Sequence, residues 1–179
     1  MLTPTEETGW VVRAQCGDRE AMELLLRGVQ PRLHGYVSRL VGAEQAPDVL
    51  QDVLISIARK LTWLADPRLF RPWAFRIASR ASFRQVRREQ RWRRYAADDA
   101  DVDAVPAPEP PPSDDVLREL LDSPELSPAS RAVLVLHFQE ELSLGEVAAV
   151  LEIPLGTAKS RLAYGLKALR RHLDHKRST

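Results

Sequence analysis

The chain has 179 residues, 44% of them hydrophobic, and a formal net charge of +1 at pH 7, which allows one domain of medium size or two small domains. It has no run of roughly 20 uncharged apolar residues, which excludes a membrane span. Cys16 is the only cysteine, which excludes an internal disulfide and a multi-cysteine zinc site. Glu6 and Glu7 stand where a secretory signal would be basic and then apolar, so we expect a cytoplasmic protein. Because the chain has a single cysteine, we also expect that it uses no metal or other cofactor.

The small net charge hides a segregation of charge along the chain. Residues 1–95 hold 17 basic and 10 acidic residues, residues 96–126 hold one basic and ten acidic residues, and residues 127–179 hold eight basic and five acidic residues. Two basic blocks on either side of an acidic segment favour two contacts with a polyanion. Nucleic acid is the natural candidate.

Helical patterns account for the first basic block. Apolar residues recur at spacings of three and four, without sustained alternation. We expect Asp18 to cap one helix and Pro31 to open a second. A third helix is predicted from about Pro47 to Leu64, and prolines at positions 67 and 72 are expected to break the chain before a long helix from about Trp73 to Arg94.

The long helix is strongly basic. From Arg71 to Tyr95 there are nine arginines against one acid, Glu89. At roughly 100° per residue, five of these arginines fall within an arc of about 80°. This arginine stripe consists of Arg76, Arg80, Arg84, Arg87 and Arg91. Like charges at this spacing repel one another unless a phosphate backbone neutralises them. The stripe therefore favours nucleic-acid contact, and the alternative is a solvated helix face.

Aromatic residues are interleaved with these arginines. We interpret Trp73 and Phe75 as core or wedge residues rather than as free stacking platforms, although an aromatic face can hold an unpaired base. The pattern leaves the roles of Trp92 and Tyr95 open.

The acidic middle of the chain, residues 96–124, is predicted to be a flexible linker. It has few large apolar residues and six prolines from Pro106 to Pro124, so it cannot bury enough surface to offset its ordering entropy. A short helix is predicted within it, from about Val116 to Leu121. The fold class that follows is all-α, with two small helical domains, residues 1–95 and 125–179, on either side of this linker.

The second domain has the pattern of a helix-turn-helix. Ser127 is expected to cap a helix that runs through Phe138. Ser143 and Glu146 form a capping box for the next helix. After Pro154 the chain restarts in a helix whose apolar face is formed by Ala158, Leu162, Leu166 and Leu169.

The other face of this last helix is polar and basic. Its six residues, which we name the recognition face, are Thr157, Lys159, Ser160, Arg161, Tyr164 and Lys167. Two helices separated by a short turn, with such a face near the start of the second, are what docking in the major groove requires. Arginine and lysine can read guanine edges, and serine and threonine can bind base edges or phosphates. The alternative is a plain αα-hairpin.

Several of these segments resemble a known family. The run from Leu142 to Leu162, with its Pro-x-Gly-Thr-x-Lys-Ser-Arg core, resembles the fourth conserved region of extracytoplasmic-function (group IV) sigma factors of the sigma-70 family. Gly17-Asp18, the segment 48–53 and the segment 70–78 are similar to the second region of that family, and they occur in the family's order. The resemblance covers nearly all of the chain except the linker.

The resemblance implies a transcription-initiation factor that is not an enzyme. Its partners would be promoter DNA, the core RNA polymerase (through the β′ clamp and the β flap) and an anti-sigma protein. The residues that would bind the polymerase are Asp48, Gln51 and Asp52. Those that would open and hold the proximal promoter element are Trp73, Arg76, Arg80, Arg84, Arg87, Arg88 and Arg91, while the recognition face would read the distal element. The acidic linker would either mimic nucleic acid inside the polymerase or serve as a soluble spacer.

The chain departs from the family pattern at four positions. Arg80 and Arg84 stand where such factors commonly carry Asn and Asp, which leaves the base preference at the proximal element open. Tyr164 stands where arginine is frequent, so one phosphate contact is missing by this comparison. Glu152 fills a turn position often held by glycine, where a left-handed backbone would cost about 1–2 kcal/mol.

Three other functions fit parts of the sequence. A stand-alone helix-turn-helix regulator would bind DNA without polymerase and would usually dimerise on a palindromic site. For that protein the Asp48, Gln51 and Asp52 side chains would be only an exposed polar face. A nucleic-acid enzyme is disfavoured because no paired carboxylates adjoin the stripe and the four histidines show no ligand spacing linked to acids. A decoy that binds polymerase without reading DNA is the third alternative.

Overall fold

The computed structural model describes residues 4–94, 121 and 126–177, with side-chain surroundings for residues 6–90, 121 and 126–171. Every regular element in these ranges is helical, which confirms the all-α prediction. The chain divides into two compact units, residues 1–89 and residues 90–179.

The first unit is built from four helices, and α2 packs against both α1 and α3. They are α1 (Pro4–Gln15), α2 (Arg19–Val41), α3 (Ala46–Lys60) and α4 (Phe70–Arg94), the last of which continues past the boundary of the unit. The segment between α3 and α4, which we name the α3–α4 loop, runs from Leu61 to Leu69. It contains two short 3-10 turns, Leu61–Trp63 and Pro67–Leu69.

The prediction that Pro31 opens a new helix is wrong, because α2 is one helix that continues through this proline. Val29 and Leu33 on either side of it are buried, and their packing favours an unbroken helix. Pro31 itself is exposed, so its missing N–H falls on the side where water can hydrate the freed carbonyl. The predicted cap of this helix is confirmed, since Asp18 Oδ1 accepts a hydrogen bond of 3.0 Å from the Ala21 N–H.

Two other helix boundaries differ from the prediction. Helix α3 ends at Lys60 rather than at Leu64, because the chain tightens into a 3-10 turn in which the Leu64 N–H donates to the Leu61 carbonyl. Helix α4 begins at Phe70 rather than at Trp73. Pro72 does not break the chain, because it lies in the first turn, where a helix makes no use of backbone N–H groups.

The core of the first unit contains a buried polar chain between α2 and α4. The rings of Tyr36 and Phe75 meet edge to face with their centroids 5.4 Å apart. The Ser79 hydroxyl donates to the Phe75 carbonyl, and the Tyr36 hydroxyl lies 2.7 Å from Ser79 Oγ. Burial raises the pKa of Tyr36, so its phenol stays protonated and donates to Ser79. These contacts fix α4 against α2.

Between residues 126 and 177 the second unit has three helical segments. They are α5 (Pro128–Leu134), which continues as a π-helical turn from Val135 to Gln139, α6 (Leu144–Leu151) and α7 (Leu155–Arg177). The Ser127 cap is confirmed, since its hydroxyl accepts from the Ser130 N–H. Both hydrogen bonds of the Ser143 and Glu146 capping box are present. Of the short helix predicted in the linker, residues 116–120 lie outside the described residues, while Leu121 is helical and buried.

The turn between α6 and α7 has a left-handed backbone at Glu152, the position that related factors often fill with glycine. Glu152 lies at φ 56° and ψ 45°, and its N–H donates to the Ala148 carbonyl. A residue with a Cβ is strained in this region, whereas glycine is not.

We therefore expect Glu152→Gly to raise the free energy of unfolding by about 1 kcal/mol, measured by urea denaturation of the whole chain. Ala149→Gly is the matched control, because Ala149 is exposed within α6, where glycine lowers helix stability by roughly 1 kcal/mol. A loss of stability in both variants would show that the turn is not strained.

Candidate nucleic-acid interface

The second helix of the helix-turn-helix carries the recognition face opposite a buried side. Ala158, Leu162, Leu166 and Leu169 are all buried, as the apolar pattern predicts. On the recognition face Lys159 and Lys167 are exposed, and Thr157, Ser160, Arg161 and Tyr164 are partly exposed. The helix therefore turns its polar and basic side away from the core of its own unit.

Two contacts along α7 bear on its recognition face. The Ser160 hydroxyl donates to the Gly156 carbonyl at 2.8 Å, which leaves the Ser160 oxygen free to accept a hydrogen bond from a base amino group. Further along, Gly165 allows α5 to approach closely. A Cβ built at this residue would lie 2.8 Å from Cδ1 and 3.2 Å from Cγ of Leu134. The orientation of the recognition face thus depends on a glycine at position 165.

The arginine stripe follows an accessible side of α4. Arg80, Arg84 and Arg87 are exposed, as is the neighbouring Arg88, and Arg76 is partly exposed. The side chain of Arg91 lies outside the described residues. Five cationic side chains of the first unit, four of them exposed, therefore stand where a phosphate backbone could reach them.

The two aromatic residues at the start of α4 differ in their surroundings. Phe75 is fully buried, which fits a core residue. Trp73 is partly exposed, and its ring centroid lies 6.2 Å from that of Phe70. Trp73 is therefore the one of the two whose aromatic ring keeps surface available to a ligand.

The three candidate polymerase contacts share the exposed side of α3. Asp48, Gln51 and Asp52 are exposed, whereas Val49 and Val53, which point to the other side of the helix, are buried. The structure therefore brings the trio together as one accessible acidic and polar surface.

Sequence reasoning missed Trp63 in the α3–α4 loop. Because the predicted helix ran through Leu64, Trp63 was assigned to a helical segment, yet its side chain is 78% exposed between the buried Leu61 and Leu64. The loop also exposes Leu69, at 52%. The signal that could have found this site is a tryptophan followed three residues later by the Asp66-Pro67 pair, which is typical of a turn.

The loop that carries Trp63 is ordered by its own hydrogen bonds. Asp66 accepts from the backbone N–H of Arg68 and from the Arg68 guanidinium. The Arg68 side chain and backbone bonds hold the pKa of Asp66 below its ordinary value. The ordering that Asp66 supplies is therefore present above its ordinary pKa and is lost as the pH falls through the lowered value.

The described ranges also lack a metal-binding cluster and a membrane-spanning helix. No group of three or more His, Cys, Asp or Glu side chains in these ranges is placed to hold a metal ion. Among the same residues, no helix is both long enough and apolar enough to cross a membrane.

Comparison with known proteins assigns both units. The model of sigma-70 region 2 matches residues 25–93, and the model of sigma-70 region 4 matches residues 124–171. The ECF RNA polymerase sigma factor SigE of Mycolicibacterium smegmatis is 34% identical over 96% of this chain and 70% of its own length. The RNA polymerase sigma-H factor of Pseudomonas aeruginosa is 31% identical over 97% of both chains.

Solved structures share the fold. CnrH, solved in complex with the cytosolic domain of CnrY, has a TM-score of 0.65 at 21% identity and covers 94% of this chain and 97% of its own. The sigma factor RpoE of Bartonella quintana, solved with the anti-sigma factor NepR, has a TM-score of 0.64 at 24% identity. It covers 85% of this chain and 94% of its own.

These matches define a protein of the sigma-70 class. Within that class, the chain belongs to the extracytoplasmic-function sigma factors. It directs bacterial RNA polymerase to promoters, and a stand-alone regulator is thereby set aside.

Proposed function

We propose that the two units divide promoter recognition between them, with the recognition face of α7 reading the distal promoter element in the major groove. The observation that carries this proposal is the arrangement of α7, whose apolar side is buried while six polar and basic residues remain accessible. A helix that follows a three-residue turn and presents such a face near its start can place side chains on base edges.

The first unit binds the proximal element and holds it open. The arginine stripe with Arg88 neutralises the phosphates of the separated strand, and Trp73 and Trp63 offer indole surface to unpaired bases. Because Arg80 and Arg84 replace residues that are usually Asn and Asp, we expect the base preference here to differ from that of related factors. The proposed domains are residues 1–95 and 125–179, joined by the acidic linker at 96–124.

Base reading within the recognition face is expected to depend on Arg161. If the guanidinium binds a guanine, Arg161→Ala should weaken the free energy of promoter binding by about 1–3 kcal/mol and relax the base preference at one position of the distal element. Lys167→Ala is the comparison variant, because loss of a phosphate contact weakens all sequences alike and reduces the salt slope. Affinity measurements on a set of single-base promoter variants distinguish the two. A uniform loss in both mutants would mean that Arg161 does not read a base.

The exposed trio on α3 is proposed to bind core polymerase. We expect the double variant Asp48→Arg with Asp52→Arg to weaken polymerase binding at least tenfold, because charge reversal removes electrostatic complementarity without opening the core. Glu20→Arg with Glu23→Arg is the matched control, since both residues are exposed on α2. Equal polymerase affinity of the two double variants, with helicity unchanged, would remove the trio from the interface.

Three further properties belong to the proposal. The chain has no catalytic activity of its own, acts in the cytoplasm, and is held inactive by an anti-sigma protein. The last point is supported by the solved complex of the anti-sigma factor NepR with RpoE, since RpoE shares the fold of this chain. A decoy that binds polymerase without reading DNA is the competing function. Run-off transcription separates the two, because a decoy yields no promoter-specific transcripts.

A further inference from the structure

The α3–α4 loop is held from outside by helix α1, which the sequence did not predict. The side-chain amide of Gln15, the last residue of α1, donates from Nε2 to the Leu61 carbonyl at 2.9 Å and to the Leu64 carbonyl at 2.8 Å. These two carbonyls lie on either side of Trp63. One amide nitrogen thus connects both ends of the turn that presents the exposed indole.

A second contact from α1 lies just beyond the far end of the loop, at the start of α4. Arg71 Nε lies 2.9 Å from Glu7 Oε2 and 3.1 Å from Oε1, and the two side chains are only 29% and 14% exposed. Glu7 and Gln15 are eight residues apart, which separates them by about 12 Å along α1 and about 80° around it. Helix α1 therefore spans the loop, with one polar contact at its start and another just beyond its end.

The position of Gln15 serves more than packing. Val11 and Ala14 already bury the apolar side of α1. The Leu61 carbonyl accepts from Gln15 and also from the Leu64 N–H, so the same oxygen closes the turn and connects it to α1. Without Gln15 the turn keeps its internal hydrogen bond and the buried Leu61 and Leu64 side chains, but its two carbonyls lose their connection to α1.

We propose that Gln15 is a positioning residue for promoter opening, which fixes the carbonyls beside Trp63 and thereby aims the indole at the separated strand. This inference rests on the function proposed above for Trp63. A rigidly held aromatic side chain loses less conformational entropy when it binds a base than a mobile one does.

The test compares variants that remove the two donated hydrogen bonds. Gln15→Met keeps the length and flexibility of the side chain without a donor, and Gln15→Glu is nearly isosteric but sets a carboxylate against two carbonyls. Gln30→Glu is the matched control, because Gln30 is exposed on α2. Each variant is bound to core polymerase and added to a duplex promoter chosen by transcript mapping, and opening is followed by permanganate reactivity of unpaired thymines.

We expect both Gln15 variants to open the promoter about tenfold less well than wild type, with polymerase affinity unchanged and Gln30→Glu at the wild-type value. A double-mutant cycle with Trp63→Ala then separates positioning from general stabilisation. If Gln15 acts through Trp63, the double variant Gln15→Met with Trp63→Ala opens the promoter no worse than Trp63→Ala alone.

Two results overturn the inference alone. One is impaired opening by Trp63→Ala together with normal opening by both Gln15 variants. The other is a double variant whose defect is the product of the two single defects. Normal opening by Trp63→Ala has a different meaning, because it overturns the function proposed for Trp63 and the inference with it.

Discussion

Gly165→Val is expected to destabilise the second unit by about 3 kcal/mol. The Cβ would meet Leu134 at 2.8 Å, and Leu134 is fully buried, so this side chain cannot move aside without disturbing its neighbours. Since α7 packs on α5 at this point, the recognition face loses its fixed orientation as well. Urea unfolding measures the change in stability, and binding to a promoter fragment by holoenzyme measures the functional loss.

Two variants control this experiment. Gly156→Val adds the same side chain to α7 where no heavy atom lies within 4 Å of the built Cβ, and it should change stability far less. In a Leu134→Ala background, where the clashing atoms are gone, Gly165→Val should cost clearly less than it does in the wild type. An unchanged cost in that background would refute close packing as the cause.

Neutralising part of the arginine stripe is expected to have the largest effect on DNA binding. Arg84→Ala with Arg87→Ala should lower the affinity of holoenzyme for a pre-melted promoter on the order of 30-fold at 0.1 M salt. The slope of log K against log salt should fall by about 1.4, because two phosphate contacts on single-stranded DNA are lost.

The matched control for the stripe removes the same charge elsewhere. Arg19→Ala with Arg59→Ala changes two exposed arginines of the first unit that lie on other helices. If this control lost affinity and salt dependence as strongly as the stripe variant, the binding would depend on net charge and not on the stripe.

Local signals in the sequence were sufficient for the helix-turn-helix. Ser127, Ser143 and Glu146 act on backbone groups only three residues away, so their caps could be predicted and are confirmed. The buried face of α7 followed in the same way from helical periodicity. These features depend on neighbours along the chain, and the sequence displays them directly.

The first unit was harder because packing overrides local rules there. Pro31 favours a helix start locally, but the buried Val29 and Leu33 favour an unbroken helix. Gln15 contacts residues 46 and 49 positions later in the chain, and no spacing pattern reveals such a contact. The exposure of Trp63 depends on the end of α3 at Lys60, and helix ends without a strong cap are hard to locate from sequence.

Transcription by core polymerase with and without this chain tests the central claim most directly. Core enzyme and protein are incubated with genomic fragments, bound fragments are selected, and the starts of the transcripts are mapped. We expect starts at a constant distance downstream of two shared sequence elements, with Arg161→Ala altering the preference at the distal element only. Transcripts that start at the same places without the protein, or specific duplex binding that needs no polymerase, would contradict the account.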